Sequence, residues 1–261
     1  MLRAFSTAAT GMAAQQMMVD VTANNLANIN TNGFKRSQID FQDLLYVKMT
    51  QSGNEVASGI TAPGGIEIGS GVRAASTAKV FSAGELTNTG RNLDIAISGD
   101  GFLQVSMPDG TTKYTRDGAL RTDATGKLVT TTGYAISPAI TVPTDSIAVD
   151  VEKDGSVNVT SSSGTQSVVG TIQLARFPNP SGLSSDGGNL LSETEASGTA
   201  TTGTAGANGF GDIQSGFLEK SNVQMVTELV NLITAQRAYE VNSRAIKAGD
   251  DMLQKSIEIA R

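Results

Sequence analysis

The stretch SNVQMVTELVNLITAQRAYEVNSRAIKAGDDMLQKSIEIAR, Ser221–Arg261, decides the fold. Met225, Leu229, Leu232, Gln236, Tyr239, Ser243, Ile246, Asp250, Leu253, Ile257 and Ala260 follow one another in alternating steps of four and three, the a/d seam of a coiled coil over about five heptads. Ser221 with Gln224 forms a capping box, which gives the helix a physical start. Proline is absent, and Gly249 costs about 1 kcal/mol relative to alanine. At ~1.5 Å per residue the helix runs about 55–60 Å, too long to stand without a partner. Gln236, Ser243 and Asp250 share one heptad position, where polar residues fix register at a cost in stability, or else simply face water. Glu228, Glu240, Asp250, Asp251 and Glu258 balance Arg237, Arg244, Lys247, Lys255 and Arg261, so nothing here attracts nucleic acid or an anionic membrane.

The other end mirrors this pattern. Leu2, Phe5, Ala9, Met12, Gln16, Val19, Ala23, Leu26 and Asn30 again step by three and four. Between Ala4 and Gly33 the only charged residue is Asp20, whereas a solvated helix normally carries a charged outer face. The sequence therefore predicts a helix enclosed by protein on several sides. Gln15, Gln16, Asp20 and the asparagines break any membrane-spanning run, and no continuous apolar core follows Arg3 as a cleaved signal peptide requires. Gly33 is placed to cap the helix C-terminus. With Leu2 near Ala260, antiparallel seams align Phe5 with Ile257, Ala9 with Leu253 and Ala23 with Tyr239.

Between the ends the period changes from 3.6 to 2. Leu93, Ile95 and Ile97 alternate, and short apolar runs recur up to Thr171–Phe177, punctuated by turns at Pro108–Gly110, Asp117–Gly118, Asp123–Gly126 and Asp154–Gly155. Short strands at this spacing, with no helical pattern between them, predict an antiparallel β-domain. Ile39, Phe41, Leu44, Leu45 and Val47 fit either a short helix or an extended connector. Gln51–Gly71 is rich in Gly, Ser, Thr and Ala, with Pro63 and one strand-like alternation at Ile66 and Ile68. Residues 178–216 read mostly as loop on the β-domain, anchored by Leu190 and Leu191, with room for a short strand before the final helix.

The chemistry available is narrow. The 261 residues carry a net charge of −6 and no Cys, His or Trp, which removes the commonest general bases, thiol nucleophiles and zinc ligands. Asp100, Asp109, Asp117, Asp123 and Asp154 lie beside or near glycines. Their spacing matches neither an EF-hand nor a nonapeptide calcium repeat, and turns use Asp-Gly for backbone reasons alone. Ala207–Gly211 is too weak for a phosphate loop, and Glu193 with Glu195 form no acid/base pair. No catalytic set, cofactor site or metal site is expected. Two classes fit: a structural subunit built on paired terminal helices, or a secreted β-rich adhesin or carbohydrate-active enzyme with helical oligomerisation ends. The uncharged N-terminal helix favours the first, and the lack of Trp, with only 4 Tyr, disfavours the second.

Residues 23–36, ANNLANINTNGFKR, closely resemble the N-terminal signature of bacterial flagellar rod and hook proteins, carried here by Asn24, Asn25, Leu26, Asn28, Gly33 and Phe34. Glu228–Lys247, ELVNLITAQRAYEVNSRAIK, continued by Met252–Gln254, resembles the matching C-terminal signature, and Gly99–Phe102 with Tyr114–Gly118 resemble the family's central motifs. Chain length and Gly65–Val72 fit the distal-rod members; proximal rod and hook proteins are the alternatives. The resemblance implies an α+β fold, with long N- and C-terminal helices pairing as a coiled coil and an inserted antiparallel all-β domain. Residues 1–35 and 217–261 would form the helical part, 36–71 the connector and 72–216 the β-domain. It implies a helical homopolymer in the basal-body rod spanning the periplasm, exported by the flagellar type III pathway without a cleaved signal. Its partners would be other rod and hook proteins, the surrounding rings and the export apparatus, with no nucleic acid and no direct membrane insertion. Leu2, Phe5, Met12, Val19, Ala23, Leu26, Met225, Leu229, Leu232, Gln236, Tyr239, Ile246, Leu253 and Ile257 would form the assembly seams. Ile66 and Ile68 would tie neighbouring subunits together through an extended segment.

Overall fold

A computed structural model describes residues 2–50, 55–57, 60–61 and 64–259. The chain is α+β, with a helix at each end and a central β-region in which every recorded strand register is antiparallel. It divides into two compact units, one made of Met1–Leu26, Ser37–Ala78 and Met225–Arg261, the other of Ala27–Arg36 and Lys79–Gln224.

In the helical unit, α1 spans Leu2–Ala27 and α2 spans Met225–Ile259. The 35 residues of α2 give a length of about 52 Å at ~1.5 Å per residue. The helix starts three residues after the position a Ser221 cap would set, because the preceding residues are committed elsewhere. The Ser221 hydroxyl accepts the Val223 N–H at 3.3 Å, and Asn222 binds the Val80 carbonyl and the Arg36 N–H, each at 2.8 Å.

The two helices meet in an antiparallel sense. Gly249 lies against the Phe5 ring, where an added Cβ would come within 2.8 Å of it, and Gly11 lies against Asn242 at 2.9 Å by the same measure. Asn25 Nδ2 donates to Glu228 Oε2 at 3.5 Å. Phe5 therefore meets Gly249 and not Ile257, about two turns from the register that seam alignment suggests. The cause is steric: only residues without a Cβ admit an aromatic ring or an amide at such close approach. That is why α2 tolerates a glycine in its interior.

Ser37–Asp43 pairs with Val72–Lys79, Val47–Thr50 with Ile66–Ile68, and Glu55–Ala57 with Ile60–Thr61, so the chain runs out and back as a β-hairpin. Of the two readings open for this stretch the extended one holds: Ile39 and Phe41 lie in Ser37–Asp43 and Val47 opens Val47–Thr50, with Leu44 and Leu45 between the two strands. Half-buried Ser37, Ile39 and Phe41 alternate with exposed Gln38 and Asp40, the period of a pleated edge. The hairpin base is fixed to α1 by the Thr10 hydroxyl, which accepts the Val72 N–H at 3.4 Å, and by Asn25, whose amide exchanges two 2.9 Å bonds with the Ser37 backbone. Pro63, and residues 51–54, 58–59 and 62–63 of the Gly/Ser-rich stretch, lie outside the described residues.

The β-unit is organised around the strand Phe102–Ser106, which pairs with Thr112–Thr115, Ala135–Ile136 and Gln173–Arg176 in a nine-stranded sheet. Side chains alternate across it. Leu103 and Val105 lie in the sheet's fully buried interior, and Leu103 joins Ile95, Leu120, Val157, Ile172, Leu174 and Ile213 in one core. Phe102 joins Tyr114, Phe177, Leu183 and Leu191 in a second. Tyr114 and Phe102 each meet Phe177 edge-on, with centroids 4.7 and 5.8 Å apart. Ser146–Val151, Ser156–Ser161 and Gln166–Thr171 form a three-stranded sheet. Much of the stretch read as loop is also strand: Ser184–Gly187, Leu190–Ser192, Thr201–Thr204 and Asp212–Ser215, with Phe217–Glu219 following as a short strand before the final helix. Ser, Thr and Gly disguise these as loop because their backbone pairing, not their side chains, holds them to the sheets.

Candidate assembly surface and a buried charge cluster

The stripe of α2 that turns inward is one residue out of phase with the apolar seam. Glu228, Ala235 and Gly249 are buried, and Asn242 is half-buried. These four recur every seven residues, are small or polar, and include three of the contacts described above. Of the seam residues, Phe5, Met12, Val19 and Leu26 on α1 and Leu232, Ile246 and Leu253 on α2 are half-buried. Ala23, Met225, Leu229, Gln236, Tyr239 and Ile257 are exposed, and the Leu2 side chain is not among those described. Gln236 and Asp250 face outward, Asp250 accepting only a 3.3 Å bond from Gln254 one turn on.

The outer faces carry apolar and uncharged patches beside the charges of α2. Val226, Val230, Ile233 and Val241 on α2 are exposed beside Met225 and Leu229, and α1 exposes Ala9, Ala13, Gln16 and Met17. A groove of about 390 Å³ in this unit is lined by Gln16, Val19, Gln236, Tyr239 and Glu240. On the hairpin, Leu45 is 89 % exposed, Met49 66 % and Ile66 58 %, with Tyr46, Val47 and Ile68 also exposed. An apolar surface of this extent marks a contact surface for other protein.

The central motifs do something the sequence did not reveal: they converge on one buried charge cluster in the β-unit. Lys35 Nζ donates to Glu219 Oε1 at 2.6 Å and to the Ser82 carbonyl at 2.7 Å. Glu219 Oε1 also accepts the Gly84 N–H at 2.8 Å, and Glu219 Oε2 accepts Arg116 Nη1 at 3.4 Å. Arg116 reaches the Gly99 carbonyl at 2.7 Å, and its guanidinium lies 5.4 Å from the Phe102 ring centroid. Gly33 donates its N–H to the Glu219 carbonyl at 2.8 Å, with φ +66, and a Cβ there would lie 2.6 Å from the Arg116 backbone. Gly33 therefore serves this approach and not a helix cap, since α1 ends six residues earlier. Burial depresses the pKa of Lys35, partly offset by Glu219, and burial likewise depresses that of Arg116.

The cluster brings together the segment that follows α1, the Tyr114–Gly118 motif and the strand Phe217–Glu219 that precedes α2. Sequence inspection missed it because Lys35, Arg116 and Glu219 are far apart in the chain. The available signal was Lys35, the first basic residue after a nearly uncharged run of thirty. Phe34 of the N-terminal signature carries Lys79 Nζ over its ring at 5.4 Å, and Asn28 Oδ1 accepts the Thr31 hydroxyl at 3.1 Å.

The Asp-Gly turns use their carboxylates locally. Asp109 accepts the Thr111 N–H and hydroxyl, Asp123 those of Thr125 with the Lys127 N–H, and Asp154 those of Ser156. Their side-chain hydrogen bonds hold all three below the usual carboxylate range. Among the described residues no group of three or more His, Cys, Asp or Glu is arranged to hold a metal, and no helix is long and apolar enough to cross a membrane.

Three family profiles match successive parts of the chain. The profile for flagella basal body rod proteins covers residues 5–35, that for the flagellar hook protein FlgE/F/G D1 domain covers 96–159, and that for the flagellar basal body rod FlgEFG protein C-terminal region covers 214–259. The chain is 48 % identical over 247 residues to the flagellar basal-body rod protein FlgG of Buchnera aphidicola from Schizaphis graminum, covering 94 % of this chain and 95 % of that protein. It is 44 % identical over 260 residues to FlgG of Caulobacter vibrioides, covering 99 % of each. The FlgG of Bacillus subtilis is 38 % identical over 268 residues, covering all of both chains.

Proposed function

The chain belongs to the flagellar basal-body rod protein family as a structural subunit of the distal rod, and from that premise we propose that its terminal helices pair as an antiparallel coiled coil and polymerise into a hollow tube. The tube carries motor torque to the hook and is required for motility. The observation that carries this reading is the outer surface of the helical unit: Met225, Val226, Leu229, Val230 and Ile233 form an exposed apolar face on one helix, and the other helix is almost uncharged. Each such side chain gains about 1.5–3 kcal/mol on full burial, so a subunit surrounded by copies of itself is strongly favoured. Head-to-tail contacts that do not close into a ring generate a helical filament.

In this scheme Phe5, Met12, Val19, Leu26, Leu232, Ile246 and Leu253 fill the helix pair. Ala23, Met225, Leu229, Gln236, Tyr239 and Ile257 meet neighbouring subunits. Ile66 and Ile68 pair edge to edge with an adjacent copy and resist sliding, which keeps the rod straight. Weak intrinsic helicity, with almost no charge in α1 to support it, lets the ends stay loose during type III export and fold on the growing tip. Further partners are neighbouring rod proteins, the hook and the rings that surround the rod in the periplasm. Electron microscopy of the purified, concentrated chain tests the reading. Tubes or filaments are expected, and their loss in Leu229→Asp with an intact β-unit supports the assigned face. A folded chain that stays monomeric at every concentration overturns it.

A further inference from the structure

The chain contains two Asn-Gly pairs, Asn32-Gly33 and Asn208-Gly209, each followed by phenylalanine. Their surroundings are opposite. Asn208 and Gly209 are exposed, and Asn208 is one of two described non-glycine residues with positive φ, at 51°. The turn closes around the pair, through Phe210 N–H to the Ala207 carbonyl at 2.9 Å, and leaves the Gly209 N–H without a partner among the described residues. Arg176 Nη1 donates to the Gly209 carbonyl at 3.3 Å. At the other pair, the Gly33 N–H is tied to the Glu219 carbonyl at 2.8 Å, the Asn32 carbonyl accepts Asn189 Nδ2 at 3.3 Å, and the Gly33 backbone is packed against that of Arg116.

We propose that Asn208-Gly209 is a self-modification site, at which Asn208 deamidates through a cyclic imide with solvent water as co-reactant, and that the fold holds Asn32-Gly33 inert. Hydroxide removes the Gly209 amide proton, and the nitrogen attacks Asn208 Cγ. The new C–N bond forms, the Cγ–Nδ2 bond breaks, and ammonia leaves. Water then opens the imide at Cγ to give aspartate, or at the main-chain carbonyl to give isoaspartate. Glycine favours this step because it offers no Cβ to obstruct the attacking nitrogen. At Asn32 the same nitrogen must first give up its bond to Glu219 and leave a packed site, which requires local opening. Either product adds one negative charge to the chain. Isoaspartate also lengthens the main chain by one methylene and displaces the carbonyl that Arg176 holds.

Peptide mapping by mass spectrometry of the full chain, kept folded at mildly alkaline pH, reads both sites at once. Conversion at Asn208 is expected to exceed that at Asn32 by about tenfold or more, the size of effect one retained buried hydrogen bond gives. In concentrated urea the two rates should come within about twofold of each other, because protection at Asn32 belongs to the fold. Asn208→Gly, comfortable at positive φ, should abolish the acidic species that ion exchange detects on ageing. Equal rates in the folded chain, faster conversion at Asn32, or an Asn208 that stays intact would each overturn the proposal.

Discussion

The two units of this chain handle apolar surface in opposite ways. Among the described residues, the apolar side chains buried in the helical unit are Ala14 and Ala235, while those of the β-unit include Ile95, Leu103, Leu120, Ile172, Leu174 and Ile213. The exposed large apolar residues divide the other way. Among the described residues only Ile147 and Val168 belong to the β-unit, and the helical unit exposes Met17 on α1 and further residues along the hairpin and α2. The β-unit has two interior clusters and a charge cluster whose carboxylate is paired with both cations. A helical unit joined through glycines, asparagines and one glutamate leaves its apolar surface for neighbours. Self-sufficiency and assembly are thus assigned to different parts of one sequence.

Deletion should break the comparison most sharply. Removing residues 1–26 or 225–261 is expected to abolish filament formation in electron micrographs while the remaining β-unit keeps a cooperative thermal transition. Loss of that transition would show that the β-unit depends on the helices.

Next comes the charge cluster. Glu219→Ala leaves Lys35 and Arg116 buried without their counter-charge and should cost about 3–5 kcal/mol in urea unfolding of the β-unit. A change within error would mean that water replaces the carboxylate.

A pair of substitutions should then dissociate the two units. Ile213→Ala, in the main core, is expected to cost about 2–5 kcal/mol of stability. Val230→Asp, on the exposed face of α2, should leave that stability within about 0.5 kcal/mol yet prevent assembly. Similar stability losses from both would erase the distinction.

The smallest effect concerns acid. Asp94, Asp109, Asp123, Asp154 and Asp186 are all in the β-unit and all held below the ordinary carboxylate value of 3.8. For Asp94, burial alone pushes the other way but is outweighed by hydrogen bonds from Arg91 and Thr89. A carboxylate with a depressed folded pKa contributes stability that is present above its unfolded pKa and is lost as pH falls through the folded one. The melting temperature of the β-unit should therefore fall steadily on acidification below 3.8, and more gently in Asp94→Asn. A flat profile would show that these bonds persist when protonated.

The helices and the antiparallel class of the centre were legible because a step of three and four, or of two, leaves a mark that no neighbour is needed to read. The inward face of α2 was not. Close packing selects Ala235, Asn242 and Gly249 for being small, and small residues carry no hydrophobic signal. The hairpin hid behind Gly, Ser and Thr for a related reason, since its pairing runs through the backbone. Lys35, Arg116 and Glu219 were individually ordinary, and only the fold makes them one site.

Amide hydrogen exchange of the monomer compared with assembled filaments tests the division of labour most directly. Residues 2–27 and 225–259 should exchange quickly in the monomer and become protected on assembly, while the strands around Phe102–Ser106 stay protected in both. Helices already protected in a proven monomer would contradict the account.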